Sequence, residues 1–164
     1  MIQVVPVAVS EPRVAALLGA LTTEIAAQGY TAEQTFGYTP EQLQSANVHM
    51  VGARVDATFC GVGGLELQPD GVGELKRFFV APQYRGSGVA DAILDALLDY
   101  ARAHRLNLVR LETGDKQHTA IDFYRRRGFV GVPRFGPYQT SETSVCMQLR
   151  LTQPPIGRRG RALA

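Results

Sequence analysis

The stretch that most limits what this chain can fold into is VAPQYRGSGVA at residues 80–90. Residues 73–80 before it read as a strand, which Pro82 stops. After it, Ala90, Ile93, Leu94, Leu97, Leu98 and Ala101 recur on one helical stripe, with Asp91, Asp95 and Asp99 on the opposite, solvated face. The pattern is a strand, a glycine-containing turn and an amphipathic helix. Glycines at 86 and 88 let the backbone turn sharply and approach a ligand closely. The first N–H groups of the helix lack intrahelical partners and sit at the positive end of its dipole. Such a turn suits a phosphate or pyrophosphate, and Arg85 adds a planar cation at its mouth.

The flanking sequence supplies the rest of one α/β domain over residues 1–152. A first strand spans 2–9, with Pro6 pointing to an edge position. Ser10 is a cap candidate for a helix that opens at Pro12 and stops at Gly29, with Val14, Leu17, Leu18, Leu21 and Ile25 on one face. Thr39 and Pro40 open a short second helix. Strands follow at 47–55 and 57–67; the Asp56-Ala57 junction between them carries no standard hairpin signal. Residues 68–71, QPDG, form a strong turn. Strands at 106–113, 129–132 and 144–151 and a helix at 117–127 complete the order β-α-α-β-β-β-α-β-α-β-β. The short turns between middle strands demand antiparallel pairing, whereas the strand–helix–strand unit across 73–113 demands a parallel crossover. A mixed sheet with helices on its faces is expected. Residues 153–164 read as a loose basic tail.

Three kinds of phosphate loop compete for residues 80–90. The string G-x-x-x-x-G-K-[ST] is absent. A dinucleotide fingerprint fails at its third glycine, where Asp91 stands, although Glu112 near the end of the next strand sits where a ribose contact would. Against the dinucleotide reading, at least four elements, three antiparallel strands among them, precede the loop. The third kind fits: Arg85-x-x-Gly88-x-Ala90 resembles the [QR]-x-x-G-x-[GA] loop of the GNAT family of N-acetyltransferases. GELKRFFV at 73–80 resembles that family's central strand. AIDFYRRRGF at 120–129 resembles its late helix and strand. The three occur in the family's order, and the resemblance spans about residues 3–151. It implies an acyl-CoA N-acyltransferase fold with a partly splayed sheet, and acetyl transfer from acetyl-CoA to a primary amine by direct attack in a ternary complex, with no metal.

Residue by residue, the resemblance implies pantetheine along Phe78, Phe79 and Val80, with the Phe78 N–H meeting the acetyl oxygen. The diphosphate would lie on Arg85, Gly86, Ser87, Gly88, Val89 and Ala90. Gln117 stands where many members place an asparagine against the cofactor. Tyr124 is the candidate general acid: a phenol of pKa near ~10 can protonate a thiolate whose conjugate acid is near ~8.5. Glu74 is the candidate base, raised by apolar neighbours from ~4.3 toward neutrality; its alternative is a rim carboxylate paired with Lys76. Tyr30, Phe36, Tyr38, Pro137 and Tyr138 are candidates for lining the acceptor pocket.

Composition narrows the partners. The net charge is +2, and three of the arginines lie in the tail at 158, 159 and 161, so the remainder is close to neutral. That is not the basic face of a nucleic-acid binder. No apolar run reaches the ~20 residues of a membrane span. The first residues lack a secretory pattern. Cys60 and Cys146 stand apart among strand residues, as buried structural thiols would. The expectation is a cytoplasmic enzyme acting on a small-molecule amine, a homodimer being left open. A non-catalytic acyl-CoA or nucleotide-binding module is the alternative, and a structural domain that recruits a partner through its tail is a third reading.

Overall fold

The computed structural model describes residues 1–152; the tail expected at 153–164 lies outside them. The elements are β1 (Ile2–Pro6), α1 (Pro12–Ala27), α2 (Pro40–Ser45), β2 (Val48–Val55), β3 (Thr58–Gln68), β4 (Val72–Val80), α3 (Val89–Ala103), β5 (Leu108–Gly114), α4 (His118–Arg126), β6 (Val130–Val132) and β7 (Ser144–Arg150). Single 3-10 turns stand at Ala32–Gln34, Pro69–Gly71, Pro82–Tyr84 and Gly136–Thr140. This is the order the sequence implied.

One seven-stranded sheet runs β1-β2-β3-β4-β5-β7-β6, antiparallel throughout except for β4 against β5. The chain returns to the sheet through α3 between those two strands, so they must be parallel. Their pairing is confined to Val72–Glu74 against Leu108–Arg110, and beyond it the strands part. The cause is visible in β4. Gly64 of β3 pairs with Lys76 and Val62 with Phe79, so Arg77 and Phe78 face the single residue Gly63. Arg77 takes a positive φ of 52°. A bulge of this kind bends its strand and strengthens the local twist, and here it accompanies the divergence of β4 from β5.

Each face of the sheet buries its own core. Alternation along β3 sends Leu65 to one face and Val62 to the other. The first core joins Val89, Ile93, Leu94, Leu97, Leu98 and Ala101 of α3 with Ile121 and Tyr124 of α4. The second joins Val14, Leu18 and Leu21 of α1 with Leu43, Met50, Val62 and Phe79. Helix α3 lies close because β3 presents glycine to it: a Cβ at Gly61 or Gly63 would stand 2.8 Å from Ile93. Each fully buried aliphatic side chain contributes about 1.5–3 kcal/mol, so the α3 stripe is a main source of stability.

Three local details depart from the sequence reading. The cap of α1 is Glu11, not Ser10: its carboxylate accepts from Val14 N (2.9 Å). The β2–β3 hairpin turns on Asp56 and Ala57, both at positive φ (47° and 66°) without glycine, because extensive pairing on either side holds the turn. The acidic face of α3 is not simply solvated. Arg127, the C-cap of α4, bonds Asp91 (2.8 Å) and Asp95 and ties the two helices together. No helix among the described residues is long and apolar enough to cross a membrane.

Candidate active site

The wedge between the diverging halves of β4 and β5 holds two adjoining cavities, of about 390 and 120 Å3. Phe78, Gln117, Ala120 and Tyr124 line both. The larger opens toward the start of α3, the smaller toward residues 34–38 and Tyr138.

The larger cavity is lined by three runs of chain, one face of α1, residues 78–91 and residues 116–126. Strand β4 ends at Val80, and Gly88 at φ 90° is the N-cap of α3. Glycine is suited to this backbone and offers no side-chain acceptor, so the first amides of α3 keep their donors free for an anion. Phe78, Phe79, Val80, Arg85, Gly86, Gly88, Ala90 and Gln117 line it. Ser87 and Val89 contribute backbone to the same turn but are not among its lining residues. Ser87 Oγ instead donates to Tyr84 O, and Val89 points into the core. Arg85 is also otherwise engaged. Its Nε donates to Val80 O (2.9 Å), and its two terminal nitrogens hold Glu24 of α1 at 2.9 and 2.8 Å. Lys116, which the sequence reading did not place here, and Arg126, whose helix C-terminal position offered another role, add positive charge to the wall. The uncapped amides, the glycine turn and these cations fit a diphosphate-bearing ligand.

Tyr124 is buried on α4, edge-on to Phe78 and Phe129. Burial pushes its phenol well above the ordinary value. Its hydroxyl has no hydrogen bond among the described residues, the residue lines both cavities, and the phenol is protonated at neutral pH.

The smaller cavity is assembled from distant segments. Leu75, Lys76 and Arg77 come from β4 and Glu112 and Thr113 from β5; Tyr30, Phe36 and Tyr38 come from the α1–α2 connection, with Tyr138 from beyond β6. Tyr30, Phe36, Tyr38 and Tyr138 thus take the lining positions considered from the sequence; Pro137 does not. Tyr30 is latched over β5: its hydroxyl accepts from Lys116 N (2.7 Å) and donates to Asp115 Oδ1 (3.0 Å).

The two carboxylates differ in setting. Glu74 lines neither cavity. It is buried behind them, facing Lys76 Nζ in an ion pair and accepting from Tyr138 Oη (2.8 Å) and Gln68 Nε2 (3.3 Å), with Arg110 Nε at 3.7 Å. The pairing with Lys76 weighed from the sequence is present, in the interior rather than at a rim. Burial raises the Tyr138 phenol, and the charge of Glu74 raises it further. Glu112 does face the smaller cavity. Burial lifts its carboxyl to about 6, against a hydrogen bond from Ser144 Oγ (3.0 Å) that lowers it. The sequence reading had met Glu112 only as a ribose contact. The available signal was alternation: Arg110 and Glu112 share one face of β5, while Val109 and Leu111 fill the other.

Neither thiol belongs to the site. Cys60 and Cys146 are buried and free, neither lines a cavity, and burial pushes both upward. His49 stacks on Tyr100 (3.8 Å) away from the wedge, whereas His118 stands on the rim of the larger cavity.

Comparison with known proteins agrees with this architecture. The family model described as the acetyltransferase (GNAT) family matches residues 20–129. An IAA acetyltransferase of Azospirillum brasilense is 35% identical over 73% of this chain and 78% of its own. A Klebsiella pneumoniae structure assigned as an acyl-CoA N-acyltransferase superposes with a TM-score of 0.78 at 30% identity, covering 93% of this chain and 99% of that one. The PaiA N-acetyltransferase of Thermoplasma acidophilum, solved in complex with coenzyme A, shares the fold at 16% identity and a TM-score of 0.74, over 92% and 99% of the two chains. The splayed sheet, the glycine turn and the sequence matches make this chain a member of the acetyltransferase (GNAT) family, an N-acetyltransferase.

Proposed function

We propose that the protein transfers the acetyl group of acetyl-CoA to the primary amine of a small molecule by direct attack in a ternary complex. The observation that carries this is the meeting of the two cavities at Phe78 and Tyr124, one fitted to a diphosphate and the other holding a carboxylate raised toward neutrality. Acetyl-CoA, when bound, supplies the thioester carbonyl to be attacked and the thiolate that leaves. Residues 85–90 hold its diphosphate through backbone amides, and the end of β4 at Phe78–Val80, unpaired on its β5 side, receives the pantetheine. Gln117, at the N-cap of α4, orients the same arm.

Glu112 takes the proton from the bound ammonium, since an amine attacks only when neutral. A base poised at about 6 is largely ionised at pH 7 yet able to accept that proton. The Phe78 N–H stabilises the oxygen as it gains charge; one oriented donor of this kind is typically worth ~3 kcal/mol. Tyr124 Oη gives its proton to the departing sulfur. Glu74, the base expected from the sequence, acts one layer back: it fixes Lys76 and Tyr138, which shape the floor beside Glu112. Direct attack, rather than an acyl-enzyme, agrees with the placement of both cysteines outside the cavities.

The test is thiol release from acetyl-CoA across a library of primary amines, paired with thermal shifts by acetyl-CoA, CoA, NAD and ATP. Stabilisation by the two CoA species and amine-dependent thiol release are expected. Stabilisation without release from any amine overturns the catalytic reading in favour of a binding module.

A further inference from the structure

The smaller cavity carries two charges of opposite sign that do not pair with each other or with any other ionised group among the described residues. On the β4 wall stands Arg77, at the bulge. Its Nη2 donates to Leu18 O (2.9 Å) and to Thr22 Oγ1, both neutral, and its buried Nε has no partner. Desolvation lowers its pKa with no neighbouring carboxylate to counter it. On the β5 wall stands Glu112, whose hydrogen bond comes from a neutral hydroxyl, Ser144. The nearby Lys76 is committed to Glu74. A partly desolvated charge without a counter-charge is costly, and a ligand bearing only an ammonium would answer Glu112 and leave Arg77 as it is.

We propose, resting on the acyl-transfer reading above, that the acceptor is a free amino acid. Its ammonium meets Glu112 and its carboxylate meets Arg77, across the gap where β4 and β5 part. A zwitterion compensates both walls at once. The rings of Phe36 and Tyr38 border the same space and offer apolar surface to a side chain. In the reaction, the ammonium gives one proton to Glu112, the amino acid's nitrogen forms the new amide bond as the carbon–sulfur bond of acetyl-CoA breaks, the thiolate takes a proton from Tyr124, and the second proton lost by the nitrogen restores the phenol.

The experiment measures kcat/KM with acetyl-CoA for matched acceptors: L-phenylalanine, its neutral amide and phenethylamine, then L-leucine and its decarboxylated amine. Each amino acid is expected to exceed its counterparts lacking the carboxylate by about 30-fold or more, the scale for leaving one member of a desolvated charge pair unanswered. Arg77→Met should collapse that ratio, chiefly through KM for the amino acid, and Arg77→Lys should keep part of it. A CoA thermal shift in each variant verifies folding. If Arg77 is only a strut between β4 and α1, Arg77→Met lowers all acceptors alike and the ratio stands, which overturns the proposal. Preferred transfer to amines lacking an acid group also overturns it while leaving acyl transfer intact. Thiol release with no amine at all overturns the acyl-transfer reading, and this proposal with it.

Discussion

The two cavities that meet at Tyr124 are built on different principles. On the side proposed for the cofactor, the anion-binding part rests on backbone: a strand end, a glycine at φ 90° and the uncapped start of α3, all within residues 78–91. The side proposed for the acceptor rests on side chains drawn from β4, β5, the α1–α2 connection and the segment before β7. Backbone donors tolerate side-chain change around them, because every residue carries the same amide. A pocket made of charges and rings has no such insurance. The comparison teaches that cofactor binding should survive most single substitutions, whereas acceptor chemistry should hinge on a few.

The sharpest way to break that contrast is at Glu112. Glu112→Gln is expected to lower kcat/KM about 100-fold or more, in the range for loss of a general base. Because the working form is the carboxylate and its pKa is raised to about 6, wild-type kcat/KM should fall as pH drops through that value, and the variant should lose this limb. A pH–rate profile checks both. A full-rate Glu112→Gln alongside a slow Glu74→Gln would return the base to β4.

Next in size is Tyr124→Phe. Turnover should fall by about tenfold or more while the CoA thermal shift persists, since the ring still packs on Phe78 and Phe129. On the backbone side, Gly88→Ala should act on binding instead. A non-glycine residue at positive φ costs roughly 1–2 kcal/mol, so KM for acetyl-CoA should rise about tenfold with kcat little altered. Equal losses in kcat and binding would show that the two sides are less separable than their construction suggests.

The smallest expected effect is at Glu24. Its carboxylate occupies Arg85 at the mouth of the diphosphate turn, in a pair that is more than a third exposed on both sides. Such pairs are worth ~0–1 kcal/mol. Glu24→Gln should release Arg85 and remove a competing anion, tightening CoA by about two- to fivefold in a titration at low salt, with less gain as salt screens the site.

Much of the fold followed from local pattern. The α3 stripe, the QPDG turn and the parallel crossover were readable because periodicity and turn chemistry act within a few residues. The glycine turn was readable for the same reason. The α1 cap was misplaced by one residue because serine and glutamate both offer an acceptor, and the chain's path decides which one reaches Val14 N. The Asp56-Ala57 hairpin gave no sign because the long ladder of β2 and β3, not the turn residues, holds it at positive φ.

What the amino-acid order determined alone was therefore the elements, their succession and the glycine turn with its uncapped helix start, each set by interactions between near neighbours. Tertiary structure decided which carboxylate faces the acceptor space. Alternation gives Glu74 and Glu112 each a face of its strand, and Lys76 offers Glu74 a partner, but neither pattern says which face meets open space. Only the bulge at Arg77 and the parting of β4 from β5 leave Glu112 beside open space and Glu74 enclosed by Lys76, Tyr138 and Arg110. A carboxylate's role depends on its counter-charges and its access to the cavity, and both are set by segments far away in the chain.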